Sequence, residues 1–205
     1  MDDQAYLNSI SSQVRPQKKS AGGLLSSPLA KVAIGGVALI IVVIIFSSMF
    51  SGGGGGIKEE SISFKFHLDY TSGVINGYQS SVKSSRLRSS SASLASILSN
   101  TSRNLTNYLV GKYGFKDGAK EYKKYEEQAQ LHQDELLSSL FDAKISGMLD
   151  RIYAHEMAHE IELIMAEETA IYDKISDEAL KASLQSSYNS LDNLYPDFAD
   201  FSESK

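Results

Sequence analysis

The feature that most constrains this chain is an apolar run at residues 32–50, VAIGGVALIIVVIIFSSMF, which carries no charge over nineteen residues. As a helix rising about 1.5 Å per residue, it would reach roughly 28 Å, close to the hydrocarbon thickness of a bilayer. A buried core helix of this length would normally carry polar residues along one side. The apolar region of a cleaved signal peptide is usually shorter, at about 7–15 residues. We therefore predict one transmembrane helix at residues 31–50.

The charges on either side of this helix predict its orientation. Four basic residues precede the apolar run, whereas the twenty residues after it contain only Lys58 and Lys65. Because positive charge is retained on the cytoplasmic side, we expect a single-pass protein of the cell membrane with a cytoplasmic N-terminus. Residues 1–30 are rich in Ser, Gln, Gly and Lys without a sustained apolar period, so we predict a disordered cytoplasmic tail.

Composition divides the rest of the chain. Residues 51–60 contain five consecutive glycines and are predicted to be a flexible tether. Residues 61–196 are predicted to be one extracytoplasmic domain, followed by a disordered C-terminal tail at residues 197–205. The chain has no cysteine, so disulfides cannot stabilise this exported domain and helix packing must do so.

Apolar residues in the domain recur mainly at steps of three and four, which is typical of helices packed in a bundle. We therefore predict an all-α fold, with the transmembrane helix followed by an antiparallel bundle of four to five helices. The most ambiguous part is residues 62–70, where Phe64, Phe66 and Leu68 alternate with polar residues as in a strand. Because Phe64, Leu68 and Ile75 also share one helical face, we predict a helix there.

Three local signals place helix ends. Gly114 is positioned to end a helix that begins at residue 84, because glycine readily adopts the left-handed conformation of a C-cap. Ser176 or Asp177 is positioned to cap the last helix at its N-terminus, and Pro196 is expected to end it.

The sequence His155-Glu156-Met157-Ala158-His159 matches the HExxH motif of zinc peptidases. On a helix, histidines four residues apart share a face and can both bind zinc, with the glutamate as general base. Glu160, directly after the motif, departs from the usual uncharged residue. No sheet is apparent beside the motif, so the simpler interpretation is a set of solvent-facing side chains.

A second metal hypothesis uses the same helix differently. A seam drawn in steps of three and four places Glu156 and His159 towards the bundle interior, as half of a di-iron carboxylate site. His132 and Glu135, three residues apart on the preceding helix, could supply further ligands. The full pattern needs two Glu-x-x-His pairs, so a structural role for these residues remains the alternative.

Two short segments carry a resemblance. The segment 149–153, LDRIY, followed by His159 and by the segment 177–181, DEALK, resembles ferritin-like four-helix envelope domains of unknown function. The likeness spans roughly residues 84–194 and rests on packing and capping residues. It implies a ferritin-like fold and an envelope location, but no activity and no metal ligands.

Two classes of function follow from these features. The first is a non-enzymatic envelope interaction or scaffold module, with membrane lipid and a surface protein as partners and with no cofactor or catalytic residue. The second is a metal protein, either a ferritin-like binder of iron or zinc or a zinc peptidase with Glu156 as catalytic base. Nucleic acid is not an expected partner, because the chain is acidic overall, with a formal net charge of −5.

Overall fold

The computed structural model describes residues 56–202, and within this range its regular structure is entirely helical. Its elements are α1 (Ile57–Tyr78), α2 (Ser85–Tyr113), a 3-10 turn (Lys120–Tyr122), α3 (Lys123–Ile145), α4 (Leu149–Tyr172) and α5 (Glu178–Ala199). The predicted helical bundle is thereby confirmed. The predicted tail at 1–30 and transmembrane helix at 31–50 lie outside the described residues. Between residues 56 and 202, no helix has the length and hydropathy needed to cross a bilayer.

Helix α1 lies at the centre of the packing. It contacts α2, α3 and α4, while α5 closes the bundle against α2 and α4. Consecutive helices run in opposite directions, so α1 and α3 are parallel neighbours. Their contacts reflect this direction, because His67 lies beside His132 and the Tyr78 hydroxyl lies beside the Leu137 carbonyl.

The central position of α1 explains its strand-like sequence. All eight residues from 61 to 68 are buried, including Phe64 and Phe66 on different sides of the helix. A helix that packs against three others buries more than one narrow stripe, so alternating apolar residues are compatible with helical geometry. The prediction of a helix at 62–70 is confirmed.

Local chemistry fixes the other helix ends. The Ser84 hydroxyl accepts a hydrogen bond from the amide three residues ahead, and the Asp177 carboxylate accepts one from the Leu180 amide at 2.8 Å. Gly114 has a φ of 65°, a left-handed conformation that suits glycine. The caps predicted at Gly114 and at Ser176 or Asp177 are confirmed, with Asp177 as the N-cap of α5.

Two domain boundaries differ from the predicted ones. Helix α1 begins at Ile57, within the predicted tether, because the Gly56 carbonyl already accepts the Glu59 amide at 3.0 Å. At the other end, α5 continues through Pro196 to Ala199.

The extension past Pro196 has a clear packing cause. Phe198 is only 1% exposed, and the Asp197 carboxylate binds both Arg86 and Ser90 of α2. These contacts hold the last turn of α5 against the bundle. The predicted disordered tail at 197–205 therefore does not start at residue 197.

The buried face of α4 differs from the predicted seam. The structure buries Tyr153, Met157 and Glu160, whereas the prediction placed Glu156 and His159 inside. Helix α4 contacts α1, α3 and α5, so its buried surface is broad and is rotated relative to the narrow stripe used for prediction. This rotation decides which polar side chains can form a site.

Candidate functional site

The HExxH residues do not converge in the core. His155 is exposed, and His159 is partly exposed with its Nδ1 atom 4.0 Å from Glu162. Glu156 is half-buried and accepts a hydrogen bond from the Ser139 hydroxyl at 2.6 Å. Among residues 56–202, no third ligand joins the two histidines of the motif to form a potential metal site.

A different set of side chains converges inside the bundle. His67 of α1, His132 of α3 and Glu160 of α4 offer ligand atoms that all lie within 4.8 Å of one another. The Nε2 atom of His67 is 3.0 Å from one carboxylate oxygen of Glu160, and the Nε2 atom of His132 is 2.8 Å from the other. Side chains from three different helices therefore bring two imidazoles to one carboxylate.

Two further side chains complete this arrangement. The Thr71 hydroxyl, one turn after His67, donates a hydrogen bond to Glu160 at 3.1 Å. Glu167 lies 2.7 Å from the Nδ1 atom of His67, on the opposite side of the ring from Glu160. We refer to His67, His132, Glu160 and Glu167 as the His–Glu cluster.

The helix register explains how the cluster forms. Glu160 and Glu167 are seven residues apart, or about two turns, so both point from α4 towards α1. His67 lies in the fully buried part of α1, where it can contact both carboxylates. His132 reaches the same point from α3, and its ring packs edge-on against that of His67 with centroids 5.3 Å apart.

Charge interactions dominate the ionisation of the cluster. Burial alone would lower the pKa of His67, but the carboxylates of Glu167 and Glu160 together outweigh this effect and raise it to about 10. Burial alone would raise the pKa of Glu160, but hydrogen bonds from His132 and His67 hold it well below its usual range. The cluster therefore stabilises an ionised carboxylate that is only 2% exposed.

Of the four residues predicted for the di-iron site, only His132 belongs to the cluster. Glu135, predicted beside it as a ligand, is exposed on α3 and does not join the cluster. His67 and Glu160 were missed as ligands. A sequence signal for His67 existed, because it is a polar residue within the apolar run of α1. Glu160 was noted only as a departure from the zincin motif.

Comparison with protein-family models, curated proteins and solved structures finds no significant match to this chain. The resemblance to ferritin-like envelope domains therefore stays a prediction. Any function has to be argued from the chemistry of the His–Glu cluster and of the surface around it.

Proposed function

We propose that this protein is a membrane-anchored helical bundle that binds one divalent transition metal ion in the His–Glu cluster. The observation that carries the proposal is the convergence of His67, His132 and Glu160 from three helices. Two imidazoles and one carboxylate form a ligand set found in catalytic zinc sites, and the same set binds non-haem iron. Zinc is the first candidate and iron(II) is its competitor.

The position of Glu167 supports this proposal. A histidine that binds a metal through one ring nitrogen usually donates the proton on its other nitrogen to a carboxylate or carbonyl. His67 can bind through Nε2 while Glu167 accepts from Nδ1, at the 2.7 Å separation already present. This contact would fix both the tautomer and the orientation of the ring.

Charge balance also supports a dication. The cluster contains two carboxylates, and one dication would neutralise both while the two rings bind it in their neutral form. The metal would then take the place of the hydrogen bonds that join the two imidazoles to Glu160. The His132 side chain is 33% exposed, so it gives the ion a route from solvent.

Metal titration of the full-length chain in mild detergent tests the proposal. After chelator treatment, we expect one zinc ion per chain by mass spectrometry and calorimetry. His132→Gln should abolish stoichiometric binding, while the Gln amide can still donate a hydrogen bond to Glu160 and preserve the fold. The matched control is His159→Gln, a partly exposed histidine on the same bundle that should leave binding unchanged.

Two results would contradict this assignment. If neither zinc nor iron(II) binds to the stripped protein, the His–Glu cluster is a structural ion-pair network. If His159→Gln releases the metal while His132→Gln retains it, the ion belongs to the HExxH motif. A peptidase based on His155, Glu156 and His159 would then be the better hypothesis.

The exposed surface favours a second candidate, the envelope interaction module. Phe141, Ile145 and Met148 are 57%, 71% and 41% exposed around the turn from α3 to α4. Because α1 and α3 are parallel, this apolar turn lies at the opposite end of the bundle from Gly56, where the tether would join. We propose that it contacts an apolar face of another envelope protein.

Crosslinking in intact cells tests this candidate. A photoreactive residue at position 145 should capture a partner, and Phe141→Ser should reduce that capture. Leu131→Ser is the matched control, because Leu131 is also on α3 and is 66% exposed but lies nearer its other end. Capture that is unchanged by Phe141→Ser, or that is lost equally in both variants, would contradict a specific surface at this turn.

A further inference from the structure

The connection between α2 and α3 carries a cluster of exposed lysines. Residues 112–124 contain five lysines, all exposed, and only two acids. One of these acids, Asp117, already has a partner, because its carboxylate lies 2.8 Å from the ammonium group of the buried Lys65. We call the five lysines the basic patch: Lys112, Lys116, Lys120, Lys123 and Lys124.

Most of this charge is not neutralised within the bundle. Lys123 lies 3.4 Å from a glutamate one turn later on α3, but among residues 56–202 the other four lysines of the patch form no ion pair. Lys112 and Lys124 lie over tyrosine rings, with ammonium-to-centroid distances of 5.2 and 4.6 Å. A tyrosine ring attracts a cation but leaves its charge in place, so the patch can still attract anions.

The basic patch lies at the end of the bundle where the chain enters it. The ammonium group of Lys58, two residues after Gly56, lies 5.4 Å from the ring centroid of Tyr122 in the α2–α3 connection. Only residues 51–55 separate Gly56 from the apolar run, and a chain of this length spans at most about 20 Å when fully extended. With the membrane anchor of the proposed function, on which this step rests, the patch is held close to the bilayer surface.

The other connection at this end has the opposite charge. Residues 173–178, from the end of α4 to the start of α5, contain three acids and one lysine, Lys174. The Lys174 ammonium is itself paired with Glu60 at 2.7 Å. An anionic surface would therefore approach the α2–α3 side of this end and avoid the α4–α5 side.

We propose that the basic patch binds anionic phospholipid head groups of the membrane that holds the anchor. Five lysines are within the number found in basic clusters that bind anionic lipid. Tyr113 and Tyr125, both half-buried, lie within or beside the patch, and tyrosine is enriched at the depth of the head groups. An acidic protein is a weaker candidate, because the short tether keeps the lipid at a high effective concentration near the patch.

Energy transfer to acceptor-labelled lipid measures this docking for the full-length chain in nanodiscs. Because the chain has no cysteine, single labels can be placed at the exposed positions Gln128→Cys, one turn after the patch, and Ser80→Cys, beyond the other end of α1. In an equimolar mixture of phosphatidylcholine and phosphatidylglycerol, transfer from position 128 should be stronger than in pure phosphatidylcholine, whereas transfer from position 80 should not rise. Salt at about 1 M should remove the difference, because the Debye length falls to about 3 Å.

Removing two charges from the patch tests its role directly. Lys116→Gln combined with Lys120→Gln should lower the ratio of docked to undocked bundles in the mixed lipid by about tenfold or more. Both side chains are exposed, so the fold should not change. The matched control is Lys83→Gln combined with Lys144→Gln, which removes the same charge from two exposed lysines at the opposite end of the bundle and should leave the ratio unchanged.

Several results would overturn the proposal. Equal transfer from position 128 in the two lipids, or an equal loss in both double variants, would mean that the basic patch does not bind lipid. If polyglutamate in solution binds through Lys116 and Lys120 while phosphatidylglycerol has no effect, the partner is an acidic protein.

Retention of the chain in pure phosphatidylcholine separates this failure from that of the proposed function. A chain that leaves these nanodiscs at about 1 M salt, where surface charge is screened, has no membrane anchor, and the docking is then refuted together with the anchor. A chain that is retained but does not dock refutes the docking alone. Metal titration involves none of these lysines, so its outcome is independent of both.

Discussion

Two glutamates on one helix show how much the surroundings of a buried carboxyl group matter. Glu160 and Glu168 lie eight residues apart on α4 and are 2% and 1% exposed. Glu160 meets two imidazoles and a hydroxyl, and its pKa falls. Glu168 has no hydrogen-bond partner among the described residues, and its pKa rises to about 8. Equal burial therefore accompanies opposite pKa shifts, because of the two glutamates only Glu160 forms hydrogen bonds with His67 and His132.

The difference suggests two uses for a buried acid. The Glu160 carboxylate is held by groups from α1 and α3, so it contributes to the packing of three helices. Glu168 contributes no comparable contact, and its desolvation opposes folding when it is ionised. The two buried acids of α4 therefore act on the stability of the bundle in opposite directions.

The largest expected effect is the pH-dependent loss in the free energy of unfolding that Glu168 causes. Its pKa is 4.5 as a reference and about 8 in the folded chain, so the folded state retains a proton that the unfolded state has released. Stability should therefore fall as pH rises from about 4.5 to 8 and level off above 8. Glu168→Gln should remove this loss, worth on the order of 3–5 kcal/mol at pH 9.

Urea unfolding between pH 5 and 9 measures this effect as the difference between the wild type and Glu168→Gln. His67 also contributes a pH slope: its pKa is raised from 6.5 to about 10, so the stability that it provides is complete below 6.5 and is lost as pH rises towards 10. That slope is common to both proteins and cancels in the difference. A pH-independent difference would contradict the assigned state of Glu168.

The second prediction is that the same substitution at Glu160 has the opposite effect on stability. Glu160→Gln should destabilise the bundle by about 3 kcal/mol at pH 7, because it removes the charge that two imidazoles surround. Urea unfolding compares this variant with Glu156→Gln on the same helix. Glu156 is half-buried and accepts a hydrogen bond from the Ser139 hydroxyl. That control should lose about 1 kcal/mol or less. Equal losses in the two variants would mean that the His–Glu cluster contributes no special stability.

The helix ends and the His–Glu cluster show what the sequence could and could not predict. Helix ends such as Ser84, Gly114 and Asp177 were predictable, because a cap depends on residues within one turn of it. The contact of His67 with Glu160 joins residues 93 positions apart and depends on the rotation of α4 about its own axis. If α4 is rotated about its axis by the angle of one residue, Glu160 takes the buried position predicted for His159. The prediction from a narrow stripe of residues therefore placed the wrong side chains in the core.

Helix α1 shows the reverse case. Its residues alternate as in a strand, yet a helix was the correct prediction because Phe64, Leu68 and Ile75 also share one helical face. His67 was not predicted as a ligand, because its role depends on contacts with Glu160 and Glu167. Both lie on a helix that begins 82 positions later. Long-range pairing of polar residues was the information that the sequence pattern lacked.

A third carboxylate, which is exposed, serves as a reference for the two buried ones, and its removal should give the smallest loss in the free energy of unfolding. Asp177 is exposed and caps α5 by accepting the Leu180 amide, so Asp177→Ala should cost only about 1 kcal/mol in urea unfolding. Ser176→Ala, the neighbouring exposed position, should be near zero. Because Asp177 remains in water, it is neither desolvated like Glu168 nor surrounded by imidazoles like Glu160. If its removal cost as much as that of Glu160, the loss in Glu160→Gln would be no larger than that of an exposed helix cap, and the imidazole contacts of Glu160 would add no special stability.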